Sequence, residues 1–160
     1  MEQFTLIMIR HAEAEPLANS DHARNLTTLG RTRAETIGAE LAKTISHCDL
    51  AIVSSAARAR QTFEELGKNL LITENKAVPD LYSANSEFEF SNILKTHATN
   101  EAHVIIVVGH NPVISVAATV YTGERVEFAP AEFLVLKQEA ASWELALESD
   151  GCWEIARLHT

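Results

Sequence analysis

Cysteine is scarce in this chain: Cys48 and Cys152 are the only two in 160 residues, and neither belongs to a CxxC pair. That excludes a disulfide scaffold and is compatible with a reducing compartment. Long hydrophobic runs are missing as well. The apolar stretch near the start, FTLIMI, is too short for a transmembrane helix, and no basic segment precedes it as in a signal peptide. The expected location is therefore the cytoplasm. There is no repeat, no low-complexity tract and no linker-like stretch. The expectation is one domain over residues 1–160. What the chain does have is apolar content, 46% of residues, which excludes disorder as a description of the whole. A chain of this length should bury roughly 70% of its unfolded surface, enough for a core without staples.

Positive charge is the other shortage. Thirteen Lys and Arg stand against 22 Asp and Glu, a formal net charge of −9. Such an overall field disfavours nucleic acid and anionic membranes as partners. By the same logic it should disfavour a phosphate ligand, but the deficit is unevenly spread. Residues 1–62 hold seven bases and seven acids, and carry six of the eight arginines. The remaining residues hold six bases and fifteen acids, which is the whole excess.

Apolar runs at 4–9, 49–53 and 103–108 predict three buried strands. A fourth is expected near 69–73. Leu29, Ala34, Ile37, Leu41 and Ile45 recur at helical spacing, with Thr27 or Thr28 as the cap. Ser54-Ser55 should cap a second helix ending near Gly67, its expected C′ residue. Phe88, Ile93 and Leu94 mark a third, ending near Thr99, and Pro112 suits the first turn of a fourth. Residues 12–27 and 79–86 read as loops, and 132–136 and 143–147 as antiparallel edge strands. The fold class expected is α/β, three-layer, with a mainly parallel central sheet and helices on both faces. Ligands of such sheets bind outside the carboxyl ends of the strands. That places Arg10-His11, Ser54 to Arg58 and His110-Asn111 at one end.

Two arginine forks there suit phosphate oxygens, and the helix start after Ser54-Ser55 adds N–H donors and a favourable dipole. A neutral imidazole is a nucleophile for phosphorus, and a second histidine could donate to the oxygens while charge builds on them. Taken singly, each of these residues is more commonly a solvated loop or surface group; their joint placement is what argues for a site. A metal held by His11, His110 and Asp80 or Glu13 is the rival reading. No HxH or HExxH spacing supports it, and flanking arginines would repel a dication. No metal and no cofactor are expected.

Arg10-His11-Ala12 resembles the RHG signature of the histidine phosphatase superfamily, the phosphoglycerate mutase-like fold. The run Ser54-Ser55-Ala56-Ala57-Arg58-Ala59-Arg60-Gln61-Thr62 is similar to its S-x-x-x-R-A-x-Q-T motif, and Gly109-His110-Asn111-Pro112 resembles its distal histidine motif. Order and spacing both fit, from residue 4 to about 120. The segment from Asp21 to Arg31 further resembles the SixA-type phosphohistidine phosphatase branch. The resemblance implies a metal-independent phosphatase with His11 as nucleophile. Arg10 and Arg58 would bind phosphoryl oxygens, His110 would donate to them, and Arg24 would be a further pocket arginine. Arg60 falls at the motif's variable position and is expected on the surface. His22, His47, His97, His103 and His159 match no motif and read as structural or solvated.

Two departures bear on mechanism. Ala12 stands where glycine is more usual, and its methyl could limit the backbone. Other branches place a carboxylic acid beside the leaving group, often on a long insertion that this chain lacks. Asp80, in Val78-Pro79-Asp80-Leu81-Tyr82, and Glu13 are the candidate general acids, although Asp80 also reads as a turn residue and Glu13 as a loop-ordering one. An alkoxide leaves poorly without an acid, a factor of about 10²–10⁴. Imidazole, whose conjugate acid has a pKa of about 6.5, needs none. The expected substrate is therefore phosphohistidine on a partner protein. The alternatives are a small phosphorylated metabolite, or a phosphate-binding module with little turnover. The oligomeric state is not read from the sequence.

Overall fold

In the computed structural model, which describes residues 1–158, side chains alternate across every central strand and so build two cores. β1 (Glu2–Arg10), β2 (Cys48–Ser54), β4 (Val104–Gly109) and β5 (Phe133–Ala140) have nearly continuous buried runs. Leu6, Met8, Ile52, Val107 and Leu134 enter one core, while Ile7, Ile9, Val53, Val108 and Phe133 enter the other. Period-2 alternation makes a strand buried on both faces apolar throughout, as these are.

Helices cover both faces. α1 (Thr28–Ala42) and α2 (Ala57–Leu66) pack on one. α3 (Pro79–Ser83), α4 (Glu87–His97), α5 (Val113–Thr122) and α6 (Trp143–Glu148) contribute to the core of the other. With β3 (Ile72–Val78) and β6 (Glu154–Leu158) the sheet order is β3-β2-β4-β1-β5-β6. β3, β2, β4 and β1 are parallel, whereas β5 and β6 are antiparallel to their neighbours. The architecture is the expected three-layer α/β. Among the described residues no helix is long and apolar enough to cross a membrane. His159 lies outside the described residues.

Several local expectations are corrected. Residues 143–147 are helical, because Ser142 accepts from Leu145 N (3.2 Å) as the cap and Trp143, Ala146 and Leu147 are buried at helical spacing. The strand at 132–136 is interior, and β6 is the edge. Pro79 starts a short helix rather than a loop. The strand expected at 69–73 begins at Ile72, and its polar residues suit an exposed edge. Leu29 and Phe88 face solvent, Ile45 lies beyond the end of α1, and Phe90 fills the core where Phe88 was expected. Ser54 and Ser55 do not cap α2, whose N-cap is Ala56. Gly67 is the C-cap itself, with a right-handed φ of −65°.

Thr27 Oγ1 accepts from Gly30 N at 2.9 Å and donates to Glu13 Oε1 at 3.1 Å. One hydroxyl thus caps α1 and tethers the segment after β1. A Cβ on Gly30 would lie 2.2 Å from Glu13 O, so only glycine permits that approach. Thr27→Ala is expected to lower stability by about 1 kcal/mol, read from a urea titration. An unchanged midpoint would show the cap to be idle.

Candidate active site

The register of the parallel strands brings three chain ends together. Arg10 pairs with Gly109 across β1 and β4, and Val53 pairs with Val108 across β2 and β4. The residues that follow, His11, Ser54 and His110, therefore share one edge of the sheet. β5 runs the opposite way and starts beside Ile9, so the segment before it arrives at the same end. Phe128 O accepts from Arg10 Nη1 (3.0 Å) and Asn111 Nδ2 (2.8 Å), and Ala131 N donates to the carbonyls of Arg10 and His11. A cavity of about 310 Å³ opens there, lined by Arg10, His11, Glu13, Arg24, Arg58 and His110, with Ala14, Asn111 and Pro130.

His11 is held on every side. Its backbone N–H donates to Gly109 O (3.1 Å), and Ala12 N donates to Thr62 Oγ1 (3.0 Å). Ala12 is fully buried and its φ lies outside the left-handed region, so the methyl is accommodated in the core. His11 Nδ1 lies 2.8 Å from Ala12 O, an acceptor only, so that nitrogen carries the ring proton. Nε2 then holds the lone pair and accepts from Arg58 Nε at 3.3 Å. Burial, opposed by the Ala12 carbonyl and helped by Arg58, Arg10 and Arg24, pushes the His11 pKa down to about 4. Burial, then His11 and Arg58, pushes His110 down to about 3. Both rings are neutral at pH 7, with centroids 5.2 Å apart.

Two of the cations, Arg24 and Arg58, are arranged by one carboxylate. Asp21 O and Oδ2 accept from Arg58 Nη1 (2.9 Å) and Nη2 (3.2 Å), and Oδ1 accepts from Arg24 Nε (3.0 Å). Tyr82 Oη donates to Oδ2 at 2.7 Å. The Tyr82 hydroxyl, with Arg58 and Arg24, holds the Asp21 carboxyl below the usual carboxylate range. The Tyr82 ring packs edge-on against both His22 and His110. Arg24 Nη1 also donates to Glu15 O, and Arg10 Nε is buried with no partner among the described residues. Three arginines, two of them bound to the ionised Asp21 carboxylate, suit an oxyanion.

Of the sequence candidates, Arg10, His11, Glu13, Arg24, Arg58 and His110 all line this cavity, and Asp80 does not. Asp80 is exposed on α3, where its carbonyl accepts from Ala84 N; Tyr82, two residues on, is what reaches the site. Arg60 is exposed and donates to Ser55 O. His22 is structural, its Nε2 2.9 Å from Ser55 Oγ. Asp21 and Tyr82 were not singled out for the site, and Asn111 was placed at this end of the sheet without a role. Asp21 and Asn111 stand inside motif segments, whereas nothing in the sequence pointed to Tyr82. Among the described residues no group of three or more His, Cys, Asp or Glu is gathered where it could hold a metal ion.

Burial makes both imidazoles much weaker bases in the folded state, which has a consequence for stability. From pH about 6.5 down to about 4 for His11 and about 3 for His110, the unfolded chain takes up protons that the folded rings refuse. Their contribution is whole above pH 6.5 and lost on acidification through that window. The urea midpoint is expected to fall over it, and to fall less steeply in His110→Asn. Parallel curves would refute the assignment.

Residues 6–82 match the histidine phosphatase superfamily (branch 1). A phosphohistidine phosphatase SixA homologue of Haemophilus influenzae is 28% identical over 155 residues, covering 89% of this chain and 93% of that protein. Among solved structures, a candidate SixA phosphohistidine phosphatase from Nakamurella multipartitia superposes with a TM-score of 0.86 at 24% identity, covering 100% and 97% of the two chains. The protein histidine phosphatase SixA complexed with tungstate gives 0.81 at 21%, covering 97% and 96%.

Proposed function

We propose that this chain, whose residues 6–82 match the histidine phosphatase superfamily, is a phosphatase of that superfamily and removes phosphate from phosphohistidine on a protein, through a phospho-His11 intermediate. The observation that carries this reading is the His11 ring, neutral, with its proton tied to Ala12 O and its Nε2 lone pair against Arg58. In the first step Nε2 attacks phosphorus, the substrate's P–N bond breaks, and imidazole leaves with that electron pair. Arg10, Arg24 and Arg58 hold the phosphoryl oxygens, and His110 donates to one as charge develops. In the second, water attacks phosphorus, the bond to Nε2 breaks, and His11 is regenerated with inorganic phosphate released.

The leaving group supports the substrate class. Asp21 is the carboxylate bound to the pocket arginines, and its lowered pKa keeps it ionised, so it has no proton to give an alkoxide at neutral pH. Imidazole is basic enough to take its proton from solvent. The curated relative from Haemophilus influenzae carries the name of such a phosphatase. Glu13 in the cavity lining is the observation favouring a small-molecule phosphomonoesterase instead.

A substrate panel decides between them. Phosphohistidine protein is expected to turn over faster than para-nitrophenyl phosphate or sugar phosphates, undiminished by chelators and by Glu13→Gln. Preference for sugar phosphates, lost in Glu13→Gln, would overturn the reading; loss of activity with chelators would revive the metal site.

A further inference from the structure

We infer that Ser54 is a positioning residue: its hydroxyl donates to His110 Nε2 and so keeps that ring's proton on Nδ1, the nitrogen left to meet a phosphoryl oxygen. The role assigned to Nδ1 rests on the phosphatase reading above; the tautomer does not.

Ser54 ends β2, is fully buried, and its Oγ lies 2.6 Å from His110 Nε2. A bond between a hydroxyl and a neutral imidazole can run either way, and the surroundings decide which. Ser54 Oγ already accepts from Ala56 N at 3.3 Å. Among the described residues its hydrogen has no acceptor other than His110 Nε2. If Nε2–H donated to Oγ, a buried O–H would be left unpaired, which native structures avoid. With the hydroxyl donating instead, the hydroxyl and Nε2 are both paired and the single ring proton sits on Nδ1, leaving one unpaired group where the other tautomer leaves two. That atom is buried with no partner among the described residues, as a donor waiting for a ligand would be.

The consequence is chemical. A bare Nδ1 would turn a lone pair toward phosphoryl oxygens and repel them, whereas Nδ1–H donates. His11 has the same tautomer, imposed by Ala12 O, but offers its other nitrogen. One ring thus gives a lone pair to phosphorus and the other a hydrogen to oxygen.

The tautomer is read directly from two-bond ¹H–¹⁵N correlations of ¹⁵N-histidine-labelled protein at neutral pH, without substrate. His110 is expected with Nδ1 in the protonated range and Nε2 in the unprotonated range. In Ser54→Ala the two signals should move toward each other or exchange. Turnover by that variant should fall about 10–100-fold through kcat, with KM changed less than threefold. Ser54→Thr, which keeps the hydroxyl, should restore tautomer and kcat together. Protonated Nε2 in the unmodified protein would overturn the proposal even if Ser54→Ala does not fold. So would an unchanged tautomer or an unchanged kcat in a folded Ser54→Ala. Protonated Nδ1 in a protein that hydrolyses nothing would leave the tautomer standing and sink the phosphatase reading.

Discussion

His11→Ala is expected to abolish the phosphoenzyme and to lower turnover at least about 10⁴-fold, the scale of losing a covalent nucleophile. Wild-type protein incubated with a labelled phosphohistidine donor should trap an acid-labile, base-stable adduct, and the variant none. The size of the loss follows from the lack of a substitute. His110 lies close, but its Nε2 is engaged with Ser54 and its own pKa is driven further down. Glu13 and Asp21 are carboxylates, and arginine has no lone pair to offer. The backbone bond from residue 11 to Gly109 O survives the substitution, so the fold should too. Labelling that persists in His11→Ala would move the nucleophile elsewhere. A wild type labelled by no donor would leave a binding module.

The parts of this site visible in sequence were those fixed by strand ends. Arg10-His11, Ser54 and His110 follow apolar runs, and a parallel sheet delivers such positions to one edge. Arg24 came from the resemblance alone, since it sits in a loop without periodicity. Asp21 and Tyr82 were out of reach because 61 residues separate them and their bond depends on how the segment after β2 and α2 folds back. The segment before β5 was equally hidden. Its contribution is the Phe128 carbonyl, and a backbone oxygen leaves no side-chain signature. The misreading of 143–147 has a related cause. Trp-Glu-Leu-Ala-Leu alternates by two, but Ser142 caps a helix there and the buried Trp143 and Trp153 rings stack against each other across the turn that follows. Local pattern lost to capping and tertiary packing. The net charge was misleading for the opposite reason: a sum over the chain says nothing about three arginines gathered at one cavity, two of them by one carboxylate.

Arg58→Lys should lower kcat/KM about 10²–10³-fold, although the charge is kept. The guanidinium makes three bonds that one ammonium cannot reproduce: Nε to His11 Nε2, Nη1 to Asp21 O and Nη2 to Asp21 Oδ2. Two of its edges thus fix His11 and the rim at once. Bound phosphate must displace some of these contacts, so the planar fork has to trade partners without losing its place, and a point charge on a flexible stem has no such constraint. The companion variant separates geometry from charge. Arg58→Ala removes a cation that depresses the His11 pKa, so that pKa should rise from about 4. The lone pair is available only above the pKa, so the acid limb of phosphoenzyme formation moves to higher pH. In Arg58→Lys a positive charge remains and the limb should move less, while the rate on the plateau stays low. The pH–rate profiles of both variants measure this directly. A lysine variant within tenfold of wild type would mean that the site uses Arg58 for its charge alone.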